Sequence, residues 1–244
     1  VNNYKKAMGK FAISGNEREY RVMISLGVAY TKQAKLELAE AWLQKALTMC
    51  KANDDVEGIS VALSNLSIVE QWRDNYVQSS KYLHEALDIA KENSNQRLEA
   101  NILGNLGNLS GMENDLDKSM DYYEQSKVIL KEVGTLHELA SLEDNLGITA
   151  RLKKDYQKSY DHHMSSYLIR VQIKDKVGQL YTIINLSALA LETGKIENGK
   201  NLSLEALEMA QDFADKKNEA IAMQNLAYVA GLEGNQNLVD EYIS

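Results

Sequence analysis

Apolar positions along this chain follow a helical spacing, and the pattern itself repeats. Ser25-Leu26-Gly27, Asn65-Leu66-Ser67, Asn105-Leu106-Gly107, Asn145-Leu146-Gly147, Asn185-Leu186-Ser187 and Asn225-Leu226-Ala227 succeed one another at a constant step of 40 residues. Ten residues beyond these leucines stand Leu36, Tyr76, Leu116, Tyr156 and Ile196, and twenty beyond them Ala46, Ala86, Ser126, Ser166 and Ala206. Polar punctuation keeps the same step. Asp74-Asn75, Asn114-Asp115, Lys154-Asp155, Gly194-Lys195 and Gly234-Asn235 separate two apolar-periodic stretches, and Asp55, Asn95, Thr135, Asp175 and Asp215 precede the next repeat. Glycine or asparagine can take the left-handed conformation that ends a helix, and a following Asp, Asn or Thr can cap the next one. Each repeat thus reads as helix, tight turn, helix, linker, with the first helix near 17–32 and its partner near 35–52.

The expected fold is all-α, a right-handed α-α superhelix of about six helix-turn-helix repeats. The expected organisation is a single array over 1–244, with 1–16 as the end of a preceding repeat and repeats at about 17–55, 56–95, 96–135, 136–175, 176–215 and an incomplete 216–244. Small residues at Gly27, Ser67, Gly107, Gly147, Ser187 and Ala227 let two helices approach, while Leu43, Leu83 and Tyr123 fill the space opposite. Val1 in place of methionine and the incomplete last repeat point to a segment of a longer protein.

The small-residue column, Tyr30, the Asp/Asn turn and the alanines at Ala39, Ala46, Ala86 and Ala206 resemble the tetratricopeptide repeat family over essentially the whole chain. That repeat is usually 34 residues long and ends in proline. Here the step is 40 and the chain has no proline, so a longer capped linker is expected in its place. The variant resembles the repeats of kinesin light chains, of LGN-type polarity adaptors and of bacterial regulators.

The resemblance implies a concave wall built by the first helices, along which a ladder of asparagines holds the backbone of a bound segment. The matching positions are Asn65, Asn105, Asn145, Asn185 and Asn225, with Ser25 in the first repeat. An amide offers a donor and an acceptor to a peptide bond without reading side chains. The same asparagines could instead bond across to a neighbouring helix and tighten the stack. Helical spacing adds Asn108, Trp72, Arg151, Tyr181 and Tyr228 to this face, together with Ile68, Met112, Asp144 and Glu192. For the three aromatic residues, packing between repeats fits the pattern as well as ligand contact does. Chaperone-binding members of the family grip a carboxylate with lysines, whereas Ile24, Ser64 and Gly104 hold the matching places here.

Charge and chemistry narrow the picture further. A net charge of −8 and a pI near 5.2 count against a nucleic-acid-binding surface. Cys50 is the only cysteine, so no internal disulfide is possible, and it aligns with Ala90, Leu130 and Ala210 as a small buried residue. The four histidines form no ligand pair, no phosphate loop or nucleophile elbow occurs, and no metal, cofactor or catalytic residue is expected. No apolar run reaches the ~18 residues of a membrane span. The fourth repeat departs from its columns at Glu143 and Arg170, which suggests an ion pair between them with His163 nearby. The function expected is non-enzymatic binding of a protein or peptide segment in the cytoplasm. The alternative is a ligand- or peptide-sensing region of a larger bacterial signalling protein, a histidine kinase, diguanylate cyclase or transcriptional regulator.

Overall fold

Short turns recurring every 20 residues divide the chain into helices of nearly equal length. A computed structural model describes residues 17–243, and among them all regular structure is α-helical. The helices are α1 (Glu17–Thr31), α2 (Leu36–Ala52), α3 (Val56–Gln71), α4 (Tyr76–Glu92), α5 (Gln96–Met112) and α6 (Leu116–Val133). They continue as α7 (Leu136–Leu152), α8 (Tyr156–Gln172), α9 (Lys176–Glu192), α10 (Ile196–Asp212), α11 (Lys216–Leu232) and α12 (Gln236–Ile243). The expectation for 1–16 lies outside the described residues. The chain forms two compact units, Val1–Val133 with α1 to α6 and Gly134–Ser244 with α7 to α12.

The turns explain how the chain manages without proline. Ala34, Asp54, Asp74, Ser94, Asn114, Lys154, Lys174 and Ala214 all lie in the left-handed region, at φ between 52° and 62°, and Gly194 and Gly234 at 75° and 70°. Each closes the helix before it. In most turns the residue that follows serves both neighbours, the exceptions being Lys35 and Lys195, whose side chains cap nothing. The Asp55 backbone N–H donates to the Cys50 carbonyl at 3.0 Å, ending α2, while its carboxylate accepts the Gly58 N–H at 3.0 Å, starting α3. Asn95, Asp175 and Asp215 repeat this double bonding, and Thr135 opens α7 with a full capping box to Glu138. The expected longer linker is therefore corrected: only residues 53–55 separate α2 from α3. The added length lies in the helices, which run 16 to 18 residues from α2 to α11.

Within each helix pair the small-residue column fixes the approach. A Cβ added to Gly27 would sit 2.4 Å from Leu43 Cγ, and one added to Gly107 would sit 2.5 Å from Tyr123 Cε1. The leucine just before the small residue is buried in the same contact, as at Leu66, Leu106 and Leu146. Cys50 is fully buried against the start of α3, and burial pushes its thiol up to about 11.

In each unit, first helices also pack on first helices: α1 on α3 and α3 on α5, then α7 on α9 and α9 on α11. The second helices make no such contact with one another among the described residues. First helices drawn together while second helices stay apart give each unit one continuous first-helix face on the inside of its curve.

Gly107→Ala should destabilise the chain by about 1–3 kcal/mol, because the Tyr123 ring must shift to admit a methyl group; an unchanged urea midpoint would contradict the packing. Ala214→Gly should act the opposite way, raising stability by about 1 kcal/mol through relief of the left-handed alanine, read as a higher melting temperature.

Candidate functional site

The repeated asparagine stands one residue before the buried leucine and two before the helix-pair contact. That offset turns it by one helical step from the core, so all five asparagines are half-buried beside the first-helix face. Their bonding differs from repeat to repeat. On α3, Asn65 Nδ2 donates to the Val61 carbonyl of its own helix at 2.7 Å. On α5, the Asn105 side chain makes no hydrogen bond among the described residues, and the same holds for Asn185 on α9. Asn225 on α11 donates to Ser187 Oγ at 3.2 Å, tying two first helices together. Asn145 on α7 is half-buried and engaged.

The aromatic candidates are exposed, not packed between repeats. Trp72 is 56% exposed, Tyr181 45% and Tyr228 54%. In the N-terminal unit Trp72 shares the α3–α5 face with Ile68 and Met112, both also exposed. Asn108 on α5 accepts the Tyr123 hydroxyl at 2.6 Å, and burial pushes that phenol up to about 12, keeping it a donor. In the C-terminal unit Arg151 Nη1 pairs with Glu192 at 2.9 Å, and Glu192 also accepts the Tyr156 hydroxyl at 3.2 Å. Arg151 therefore holds α7 to α9.

The expected Glu143–Arg170 pair is not formed; the neighbouring acid takes its place. Asp144 is 6% exposed, so it lies in the core and not on the first-helix face. Its Oδ2 accepts Arg170 Nη2 at 3.0 Å, Ser166 Oγ at 2.8 Å and Thr182 Oγ1 at 2.9 Å, while Oδ1 faces His163 Nδ1 at 3.0 Å. Arg170 spends another N–H on Asp175 at 2.8 Å and its Nε on Ser166 at 3.1 Å. Glu143 instead meets His162 Nδ1 at 2.7 Å. The arrangement joins α7, α8 and α9 through one buried carboxylate, with nearly every polar atom satisfied; His163 Nε2 is the exception. A signal for it stood in the columns: Asp144, His163, Arg170 and Thr182 each replace a small or apolar residue of most other repeats.

Sequence profiles of the tetratricopeptide repeat match residues 21–52 and 58–132. No curated protein matches the chain. BtubC (BKLC) from P. vanneervenii superposes with a TM-score of 0.76 at 17% identity, over 85% of this chain and 88% of that one. A signal-transduction ATPase with numerous domains and a tetratricopeptide repeat sensor, from Pyrococcus horikoshii, gives 0.70 at 17% identity over 92% of this chain, which spans only 35% of that protein. A Rap protein complexed with competence and sporulation factor gives 0.69 at 11% identity, covering 98% and 70%. At these identities the likeness concerns the fold, an all-α superhelical repeat. Among the described residues no helix is long and apolar enough to cross a membrane.

Asp144→Ala should cost about 3–5 kcal/mol, since it leaves the buried Arg170 guanidinium with one carboxylate in place of two and strips acceptors from Ser166 and Thr182. Replacing Asp144, His163 and Arg170 together by apolar residues of similar size should cost much less. Equal urea midpoints for the single and triple variants would refute the coupling.

Proposed function

Because the chain belongs to the tetratricopeptide-repeat family, we propose that it is a non-enzymatic protein-interaction scaffold whose first-helix faces receive an extended segment of a partner protein. One observation carries the reading: Asn105, half-buried and without a side-chain hydrogen bond among the described residues, shares by helical spacing the α3–α5 face of the exposed Ile68, Trp72 and Met112. Large apolar side chains left together in water mark an interaction surface, and a free amide beside them supplies the donor and acceptor that a peptide backbone needs. The C-terminal unit carries a similar set in Tyr181, Asn185 and Tyr228. Asn65, Asn225, Asn108 and Arg151 support the faces more than they contact the segment, being bonded already. A cytoplasmic setting belongs to the same proposal.

The second reading, a sensing region of a larger signalling protein, draws on the likeness to the repeat sensor of the Pyrococcus ATPase and to the Rap complex. It uses the same face and differs in what is attached to it. The test is selection from a displayed peptide library on the full chain. Trp72→Ala and Asn105→Ala should each weaken the selected peptides roughly tenfold, the loss of one well-placed interface contact. Unimpaired binding by the double variant would remove this face from the function.

A further inference from the structure

A second recess lies on the other side of the C-terminal unit. Helices α8 and α10 straddle α9 without touching, and between them opens a cleft of about 430 Å³. Its walls are Tyr156, Tyr160 and Met164 from α8 and Leu202 from α10, with Leu189 and Ala190 of α9 as its floor and the polar Gln157, Thr193 and Asn198 along its edge. Tyr160 is left 45% exposed over it. Lys195 is the single charged residue of the lining, and its ammonium has no carboxylate partner among the described residues.

The repeat supplies an internal control for this cleft. Three repeats earlier, 120 residues back in the chain, an ionic staple ties α2 to the end of α3 at the matching place. There Arg73 Nη1 donates at 2.8 Å to Glu40 of α2 and at 2.8 Å to Glu70 of α3, and Asn75 adds a bond to Glu70 at 2.6 Å. In the C-terminal unit the corresponding residues are Thr193 for Arg73, Tyr160 for Glu40 and Ala190 for Glu70. Thr193 turns its hydroxyl back onto the Leu189 carbonyl of its own helix at 2.8 Å, so it spans nothing. The ionic staple is gone, and in its place is a hollow of mixed lining, apolar at Met164, Leu189, Ala190 and Leu202, polar at Gln157, Thr193 and Asn198, with Lys195 as its one charged residue.

We propose that this cleft is a second docking site, taking a bulky apolar side chain of a partner protein that carries an acidic residue beside it. The volume suits one large side chain and part of its flanking backbone. The aromatic and thioether walls suit an aromatic or leucine anchor, and the unpaired Lys195 selects an acidic neighbour over a basic one. The site is separate from the first-helix faces and stands or falls without them.

Peptide-display selection on the full chain tests it. The expected result is a population with an aromatic or leucine anchor flanked by Asp or Glu, unaffected by Trp72→Ala and Asn105→Ala. Rebuilding the staple with Tyr160→Glu, Ala190→Glu and Thr193→Arg should weaken those peptides at least tenfold. The exposed Lys195→Glu leaves the walls intact and should turn the selected flanks from acidic to basic. Absence of such a motif, its survival in the stapled variant, its loss through Trp72→Ala, or a flank preference unmoved by Lys195→Glu would each overturn the proposal. So would saturable binding of dodecanoate with no selected peptide.

Discussion

Everything in this molecule depends on how closely a first helix and its partner can approach at the small-residue column. The contact at Gly27 and Leu43, or at Gly107 and Tyr123, leaves no room for even a methyl group. A helix pair held that tightly has one register, so the turn joining its members must have one length. The left-handed residue followed by a capping residue meets this condition with the fewest atoms. One backbone N–H satisfies the helix that ends and one side chain the helix that starts. A 40-residue step follows from two such helix-and-turn halves, without proline as a stop.

Inside that constraint the residue facing the small column is free to vary, and the variation sets the local chemistry. Leucine at Leu43 and Leu83 makes plain core. Tyrosine at Tyr123 keeps the packing but sends a hydroxyl through to Asn108 on the first-helix face. Histidine at His163 brings a polar ring into the interior, where Asp144, Arg170, Ser166 and Thr182 answer it. Serine at Ser203 leaves the column small on both sides, and Ser187 and Ser203 close it with a bond of 2.6 Å. Each change is compensated by its immediate neighbours, His163 Nε2 apart, as close packing and the cost of unsatisfied buried polar groups require.

That compensation also marks what could be read before any coordinates. Helices, caps and core columns were legible because each is fixed by residues a constant step apart. The polar interior of α7 to α9 was half legible: Arg170 stood out as a departure, but its partner was assigned one residue away. One residue on a helix is a rotation of about 100°, enough to carry Asp144 from the first-helix face to the core and Glu143 towards His162. The asparagine ladder was legible as a column and illegible as chemistry. Whether an amide bonds its own helix, as at Asn65, or a neighbouring one, as at Asn225, depends on which acceptors come within reach. The α8–α10 cleft left no motif at all, since a cavity is made by what is missing.

The contrast between Arg73 and Thr193 shows where this architecture can afford such absences. Contacts within a pair, between a second helix and the next first helix, and between successive first helices carry the core of each unit, while second helices stay apart. A gap between second helices can therefore hold an ionic staple, as at Arg73 with Glu40 and Glu70, or stand open, as at Thr193, without disturbing the helices that flank it. A partly exposed staple of this kind contributes little to stability, so exchanging it for tyrosine, alanine and threonine has a small folding cost. Its consequence is mainly one of surface: a charged seam becomes a hollow of mixed polar and apolar lining with one charged residue, Lys195. Repetition gives the chain several such seams, and each can be opened or closed by substitutions that leave the first-helix faces as they are.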